Sequence, residues 1–253
     1  TLTIAGDIDV AQTKEWVKKY FDEIPRGEDI PKMEKQPVTL KTSKRLFYED
    51  NFARAPRLTM TWPTVYEYHP DTYALSVLSQ YLTEGKKAPL YKVLVENQQL
   101  TSNVGMYQSS SEIAGQLMLR VTAFDQTNLN TVASAINEGL RDFEMDGISE
   151  TDLNRIKAGQ ETSFYKGLSS VLGKGFQLAQ YEIFAGDPGF INQDVQYILA
   201  VTPEDVMRVY NTYIKDQNFI ATSFVPKGQM NLVLDNSQQA VVEEEQIVEG
   251  AED

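Results

Sequence analysis

Hydrophobic and polar positions follow two different periods along this chain, one typical of strands and one typical of helices. At residues 57–62, Leu58, Met60 and Trp62 alternate with polar neighbours, which predicts a strand with one buried face. Residues 115–124 alternate in the same way. Much of the later part of the chain instead repeats its apolar positions every three to four residues, which predicts helices.

Turn and cap signals place the other elements. Asp9 is a good helix N-cap with Gln12 completing a capping box, and Ser149 and Thr202 are further N-cap residues. The predicted strands cover residues 1–6, 38–48, 57–62, 101–108, 115–124 and 218–226. The predicted helices cover residues 10–21, 70–82, 90–97, 128–145, 149–184 and a stretch from residue 203. We expect the long helix to break near residues 173–175.

This order of elements, β-α-β-β-α-α-β-β-α-α-α-β, predicts the fold class. Consecutive strands joined by short connections favour antiparallel pairing, so we expect an α+β fold: a two-layer sandwich of a mainly antiparallel sheet with helices packed on one face. Residues 1–226 should form one domain, starting with a strand already under way, as in the middle of a longer protein. Residues 227–253 should form a flexible acidic linker or edge segment. The first helix is expected to bury Val10, Trp16, Val17 and Tyr20.

Composition limits the chemistry that this chain can perform. It contains one histidine, His69, and no cysteine. A zinc site in a peptidase needs three protein ligands, commonly including two or more histidines. A cysteine nucleophile is absent, and a serine–histidine site would depend on His69 alone. We therefore predict no catalytic residue and no metal ligand in this chain, and a self-contained hydrolase using His69 is the competing hypothesis.

Charge and hydropathy argue against two further classes of partner. The net charge is −13, and the segment from Asp235 onward contains acidic residues but no lysine or arginine. Phosphate contacts require clustered basic side chains, so nucleic acid is not an expected partner. No apolar run approaches the roughly 20 residues of a membrane-spanning helix, so no membrane span is expected.

Four local features invite a functional interpretation, and each has a simpler structural one. His69 could be a ligand or general base, but its position at a helix entry favours a turn residue. Residues 167–175 approach a phosphate loop, yet five residues separate the first two glycines where four are needed, which favours a helix irregularity. Residues 243–245 lack the spacing of a calcium loop and read as a solvated charge run. Tyr73 and Tyr81 share one helix face, which indicates core packing rather than base stacking.

Several motifs that are weak singly occur in a specific order over residues 1–226. The motifs, in chain order, are Leu2-Thr-Ile-Ala-Gly-Asp7 with a helix ending in Tyr20-Phe-Asp-Glu-Ile-Pro25, then Ala88-Pro-Leu-Tyr-Lys92 with Leu94-Val-Glu96, and finally Thr202-Pro-Glu-Asp-Val206 before a strand ending at Pro226. Together they resemble the second, non-catalytic domain of the M16 zinc metallopeptidases, the pitrilysin, insulin-degrading and mitochondrial-processing group.

The resemblance implies a role beside a catalytic domain. In that family, such a domain pairs with a similar zinc-bearing domain into one half of a clamshell, and two halves close around a peptide. The implied partners are therefore a preceding zinc-bearing domain, a second clamshell half and a peptide substrate. Zinc is implied for the full-length enzyme and not for this chain, which has no copy of the H-x-x-E-H motif. The family also suggests a bacterial periplasm or cell envelope, with the cytoplasm as an alternative.

Two positions bear on which half of the clamshell this chain belongs to. Some zinc-less halves of the family contribute an arginine and a tyrosine to the active site, and the matching positions here are Val95 and Ser102. Their absence favours the second domain of a zinc-bearing half. The alternative is a zinc-less partner or a structural, core-type subunit of a related complex.

The resemblance also points to one strand as a substrate contact. In some family members, the strand after the central helix anchors the end of the substrate, and it corresponds here to residues 103–108. Val104, Met106 and Gln108 would share one side of that strand and are the candidate substrate-binding residues. The alternative is a plain strand whose side chains face the core. A charged residue at Met106 should weaken peptide binding if the first interpretation holds.

Overall fold

The computed structural model describes residues 2–28, 31 and 33–242. The helices of this part are α1 (Val10–Phe21), α2 (Pro70–Thr83), α3 (Pro89–Tyr91), α4 (Leu129–Asp146), α5 (Glu150–Gly167), α6 (Val171–Phe184), α7 (Ile191–Ala200) and α8 (Pro203–Tyr213). The strands are β1 (Lys44–Asp50), β2 (Arg57–Thr64), β3 (Thr101–Ser110), β4 (Gly115–Ala123), β5 (Ile220–Pro226) and β6 (Gln238–Gln239). A π-helical segment, Lys92–Asn97, continues α3.

The strands form one sheet in the order β3-β4-β2-β5-β1-β6. The pairs β3–β4, β2–β4 and β2–β5 are antiparallel, whereas β1 is parallel to both β5 and β6. The predicted fold class, an α+β sandwich with a mainly antiparallel sheet, is therefore confirmed. Within the described residues, β3 and β6 are the two edge strands.

The core lies between the helices and one face of the sheet. Strand β2 alternates strictly between buried and half-buried residues, as its sequence predicts, and Leu58 and Trp62 are at most 2% exposed. Helices α2, α4 and α8 contact the strands on this side. The side chains on the other face of β2, β4 and β5, including Thr59, Thr122 and Thr222, are partly or fully exposed. The sheet thus has one packed face and one open face.

The predicted first strand does not form. Residues 2–9 pair with neither edge of the sheet, and Leu2 and Ile4 are exposed. The alternation of apolar residues was a sound strand signal, but a strand also needs a partner strand for its backbone hydrogen bonds. Instead, Ala5 lies beside Gly175 of α6, where a β-carbon on that glycine would come within 3.3 Å of the alanine methyl group.

Helix α1 forms where predicted, but the prediction that it buries its apolar face is wrong. Asp9 caps it by accepting a hydrogen bond from the Gln12 amide at 2.8 Å. The Gln12 side chain donates to Glu15 rather than closing the capping box. No residue of α1 is buried, because no described element covers its apolar face. Of the four residues predicted to be buried, Val17 is half-buried and the others are exposed, namely Val10, Trp16 and Tyr20.

The helical part differs from its prediction in two places. The long helix breaks at residues 168–170, earlier than expected, because Ser170 caps a new helix by accepting from the Gly173 amide at 2.9 Å. Helix α7 was not predicted at all, since it follows a glycine- and proline-containing turn that read as a loop. By contrast, the start of α8 is the predicted one, and Thr202 and Asp205 form a complete capping box.

The first part of the segment that follows β5 packs on the domain. Leu232 and Leu234 are buried in the core, and β6 pairs with β1 through the alignment of Leu46 with Gln238. The predicted domain boundary at residue 226 stays a prediction. The glutamate run at residues 243–245, and the flexibility predicted for the end of the chain, lie outside the described residues.

Candidate functional site

Strand β3 is an edge strand, with β4 on one side and no described strand on the other. It follows directly from the segment that continues α3, and a register irregularity lies between Thr101 and Val104. An edge strand presents a row of unpaired N–H and C=O groups, which can pair with an added extended chain. The outer edge of β3 is therefore a candidate surface for binding an extended peptide.

The three predicted substrate-binding residues share one side of β3, and that side faces the helices. Val104 is 3% exposed and Met106 is 5% exposed, and both belong to the core. Gln108 is half-buried and donates hydrogen bonds to the hydroxyl oxygens of Thr64 at 2.8 Å and Ser110 at 2.9 Å. These residues lie behind the edge, so a charge placed at Met106 would test folding before it tested binding.

The opposite side of β3 belongs to the open face of the sheet. Asn103 and Tyr107 are exposed there, and Gly105 is half-buried with room for a side chain beyond its α-carbon. Together with residues of β4, including Arg120, they line a depression of about 310 Å³. The Tyr107 hydroxyl donates to the Met118 sulfur at 2.7 Å. Asn103, Gly105 and Tyr107 alternate with Val104 and Met106 along β3. The alternation in the sequence could therefore have indicated that they share the opposite face of the strand.

His69 has a structural role at the start of α2. Its Nδ1 atom accepts a hydrogen bond from the Asp71 amide at 3.1 Å, so His69 is the N-cap of the helix. Asp71 in turn accepts from Arg208 at 2.8 Å and from the Tyr213 hydroxyl at 2.6 Å, which ties α2 to α8. Burial raises the pKa of Asp71, but these hydrogen bonds outweigh it and hold the pKa below its ordinary value. The role of His69 as a helix N-cap agrees with its interpretation as a turn residue.

The other local features also have structural roles. Residues 167–175 join two helices and follow no strand, so they form the predicted helix irregularity rather than a phosphate loop. Tyr73 and Leu78 of α2 are buried, and Tyr81 packs on Phe143 with ring centroids 5.7 Å apart. These contacts agree with core packing.

The donor set for a metal ion is weak throughout the described residues. No group of three or more histidine, cysteine, aspartate or glutamate side chains there is arranged to hold a metal ion. The described residues therefore do not fit a peptidase zinc site. No helix in the described part of the chain is long and apolar enough to cross a membrane.

Comparison with known families decides the classification. The profile of the peptidase M16 inactive domain matches residues 1–160, which is more than half of the chain. This chain belongs to the peptidase M16 family, as an inactive domain. The predicted resemblance is thereby confirmed. No curated protein sequence gives a significant match.

Solved structures share the fold of this M16 domain. A protease from Helicobacter pylori superposes with a TM-score of 0.77 at 20% identity, covering 88% of this chain and 54% of its own. The M16 inactive domain from Pseudomonas fluorescens gives 0.71 at 17% identity, covering 88% and 52%. A candidate zinc protease from Bordetella pertussis gives 0.61 at 17% identity, covering 69% and 96%. This chain thus spans about half the length of the first two structures.

Two positions of this M16 domain, Val95 and Ser102, correspond by resemblance to the arginine and tyrosine of some zinc-less halves. Val95 is half-buried in the π-helical segment, and Ser102 is exposed at the beginning of β3. Neither a valine nor a serine side chain supplies a guanidinium or phenol group.

Proposed function

We propose that this chain is the non-catalytic, chamber-forming domain of an M16-type zinc metalloendopeptidase, and that the edge of β3 with the adjoining open face of the sheet contacts the peptide. The observation that carries the proposal is the edge of β3, which pairs with no described strand, beside the exposed face of the sheet that includes Gly105 and Tyr107. An extended peptide added there would pair its backbone with β3 and lay alternate side chains over Gly105 and Tyr107.

The zinc chemistry belongs to another domain in this proposal. This chain has one histidine and no cysteine, and His69 is engaged as a helix cap. Membership in the M16 family and the likeness to a candidate zinc protease support a zinc site elsewhere in the full-length enzyme. There, the metal would activate water for attack on the peptide bond.

The exposed apolar surface at the beginning of the chain supports a partner domain. Trp16, Tyr20 and Phe21 of α1 are each more than half exposed, and Leu2, at the beginning of the described chain, is 59% exposed. Several large apolar side chains exposed on one short helix favour an interaction site. We propose that this surface docks on the preceding zinc-bearing domain, and that a second clamshell half completes the chamber. A periplasmic or envelope location stays a prediction.

A second candidate is a zinc-less partner or structural core-type subunit. The lack of a metal donor set among the described residues favours it as much as the leading proposal. Val95 and Ser102 weigh against it, because a zinc-less half that completes an active site would need other side chains there. The reading frame upstream of Thr1 separates the two: an H-x-x-E-H motif with a downstream glutamate supports the leading proposal, and a frame without it supports the second.

Peptide addition at β3 can be tested by fluorescence anisotropy with a labelled extended peptide. A copy of the peptide N-methylated at alternate residues should bind at least about tenfold more weakly, because each lost backbone hydrogen bond costs about 1 kcal/mol. Gly105→Leu should also weaken binding, since the new side chain occupies the open face at the edge.

Thr222→Leu is the matched control, since it adds a similar side chain to the same face on the central strand β5. Equal binding of the two peptides, or equal weakening by the two leucine variants, would contradict addition at the edge of β3.

A further inference from the structure

A second cavity, of about 620 Å³, lies on the helical side of the domain, away from β3. Its wall is built by the connection between β2 and α2 together with α2, α5, α6 and α7. No sequence pattern indicates this cavity, because its lining residues are far apart in the chain. Tyr73 and Asp194, which are hydrogen-bonded in its wall, are 121 residues apart.

The charge of this cavity is negative. Glu67, Glu84 and Asp194 line it, and none of its lining residues is a lysine or arginine. Asp194 is only 9% exposed, and none of the ion pairs found among the described residues involves it. Burial and the nearby charge of Asp194 raise the pKa of Glu67. A buried carboxylate without a cationic partner is costly, so a cation entering the cavity would be stabilised.

The polar side chains of the wall also provide hydrogen-bond acceptors. The hydroxyls of Tyr73 and Tyr181 both donate to Asp194, at 2.6 and 2.5 Å. The side-chain amides of Gln160 and Gln177 donate to Ser76 at 3.2 Å and to Tyr181 at 2.7 Å. One N–H of each amide is used within the wall, and the carboxylate oxygens of Asp194 and the carbonyl oxygens of the two amides are acceptors. A ligand rich in N–H donors therefore complements the cavity.

Aromatic rings complete the wall. The ring of Tyr68 packs against both Tyr181 and Phe190, with centroids 5.3 and 5.1 Å away, and Tyr73 stacks on Tyr197 at 5.4 Å. Tyr68 has a φ of 60°, in the left-handed region that bulky residues rarely adopt, so its position at the cavity is maintained against backbone strain. Aromatic faces attract ammonium and guanidinium groups.

We propose that this cavity binds an organic cation, an ammonium or guanidinium group, with Asp194 and Glu67 as the counter-charges and Tyr68 and Tyr73 as aromatic walls. The cation could be carried by a basic side chain of a polypeptide or by a small amine. The proposal does not depend on peptide addition at β3, because the cavity and the edge strand share no lining residue.

Isothermal titration calorimetry with Nα-acetyl-arginine amide tests the proposal directly. Its neutral isostere, Nα-acetyl-citrulline amide, should bind at least tenfold more weakly. Glu67→Gln and Asp194→Asn should each weaken binding of the arginine probe at least threefold, while Glu28→Gln, which removes an exposed carboxylate outside the cavity, should leave it unchanged. Thermal unfolding of each variant checks that it is folded, and Glu67→Gln covers the case in which Asp194→Asn does not fold.

A third variant fills the cavity without removing charge. Gly159 lines it, and a β-carbon at that position meets no atom within 4 Å, so Gly159→Leu should fold and should abolish binding of the probe. Methylguanidinium identifies the source: binding equal to that of the arginine probe indicates a small cation, and much weaker binding indicates a polypeptide side chain. Equal binding of the citrulline probe, no saturable heat up to about 10 mM probe, or equal weakening by Glu28→Gln and Glu67→Gln would overturn the proposal.

Discussion

Helices α1 and α4 have similar sequence signals and different surroundings. Both begin with a side chain that caps the helix, Asp9 in α1 and Asn128 in α4, and both carry an apolar stripe. Helix α4 buries that stripe against the sheet and α3, whereas α1 buries none of its residues. The buried residues of α4 are Leu129, Val132, Ala135, Ile136, Gly139, Leu140 and Phe143. A helical period therefore identifies the face that is suited to burial, and the partner decides whether burial happens.

The difference has an energetic meaning. Fully burying a large apolar side chain stabilises a fold by about 1.5–3 kcal/mol, and that free energy is already part of the domain's stability for α4. For α1, the corresponding free energy is still available for an association. The same pattern of residues thus contributes to folding in one helix and is available for docking in the other.

The largest expected effect comes from truncating the packed helix. Phe143 is fully buried, and its ring lies 5.7 Å from that of Tyr81 and 5.0 Å from that of Tyr210. Phe143→Ala should lower the free energy of unfolding by about 3–5 kcal/mol, measured by urea denaturation. A loss below about 1 kcal/mol would mean that α4 is not packed as described.

Alanine substitutions at two helical glycines should change stability less, and the two changes should have opposite signs. A β-carbon at Gly139 of α4 would lie 2.8 Å from Leu90 Cδ2 and 3.3 Å from its Cα, so Gly139→Ala should destabilise the domain by about 1–3 kcal/mol. At Gly159 of α5 the space is open, and Gly159→Ala should stabilise it by about 0.5–1 kcal/mol through helix propensity. Urea midpoints of the two variants measure the contrast, and a shift in the same direction for both would remove it.

The smallest effect on stability belongs to the exposed helix. Trp16 is 54% exposed, so Trp16→Ala should change the free energy of unfolding of this chain by less than about 0.5 kcal/mol. The same variant should weaken association with the separately expressed preceding domain at least about tenfold, if α1 docks there. Lys14→Ala, an exposed change on the same helix, is the control for that association assay. A stability loss comparable to that of Phe143→Ala would show that α1 is packed within the chain itself.

The sequence predicted elements well where the signal was local. The alternation in β2 and the N-cap at Thr202 need only neighbouring residues, and both formed as expected. The strand predicted at residues 1–6 failed because pairing depends on a second segment that local alternation cannot specify. The alternation in β3 correctly placed Val104 and Met106 on the same side of the strand, but alternation alone does not say which side the helices cover.

The cavity on the helical side could not be predicted from the sequence. Asp194 stands in an ordinary amphipathic helix, and only the folded chain brings it to the hydroxyls of Tyr73 and Tyr181. Contacts between such distant positions follow from topology, not from any period or motif.

The π-helical segment before β3 affects how this chain should be aligned with its relatives. The Gln98 amide donates to the Val93 carbonyl at 3.0 Å, five residues back instead of four, so the segment holds one residue more than an α-helix of the same span. A relative with a regular helix here reaches its edge strand one residue sooner. Against such a relative, residue correspondences drawn without a gap across positions 92–97 would be shifted by one, and an insertion or deletion of a single residue can be accommodated at this point while the sheet keeps its register.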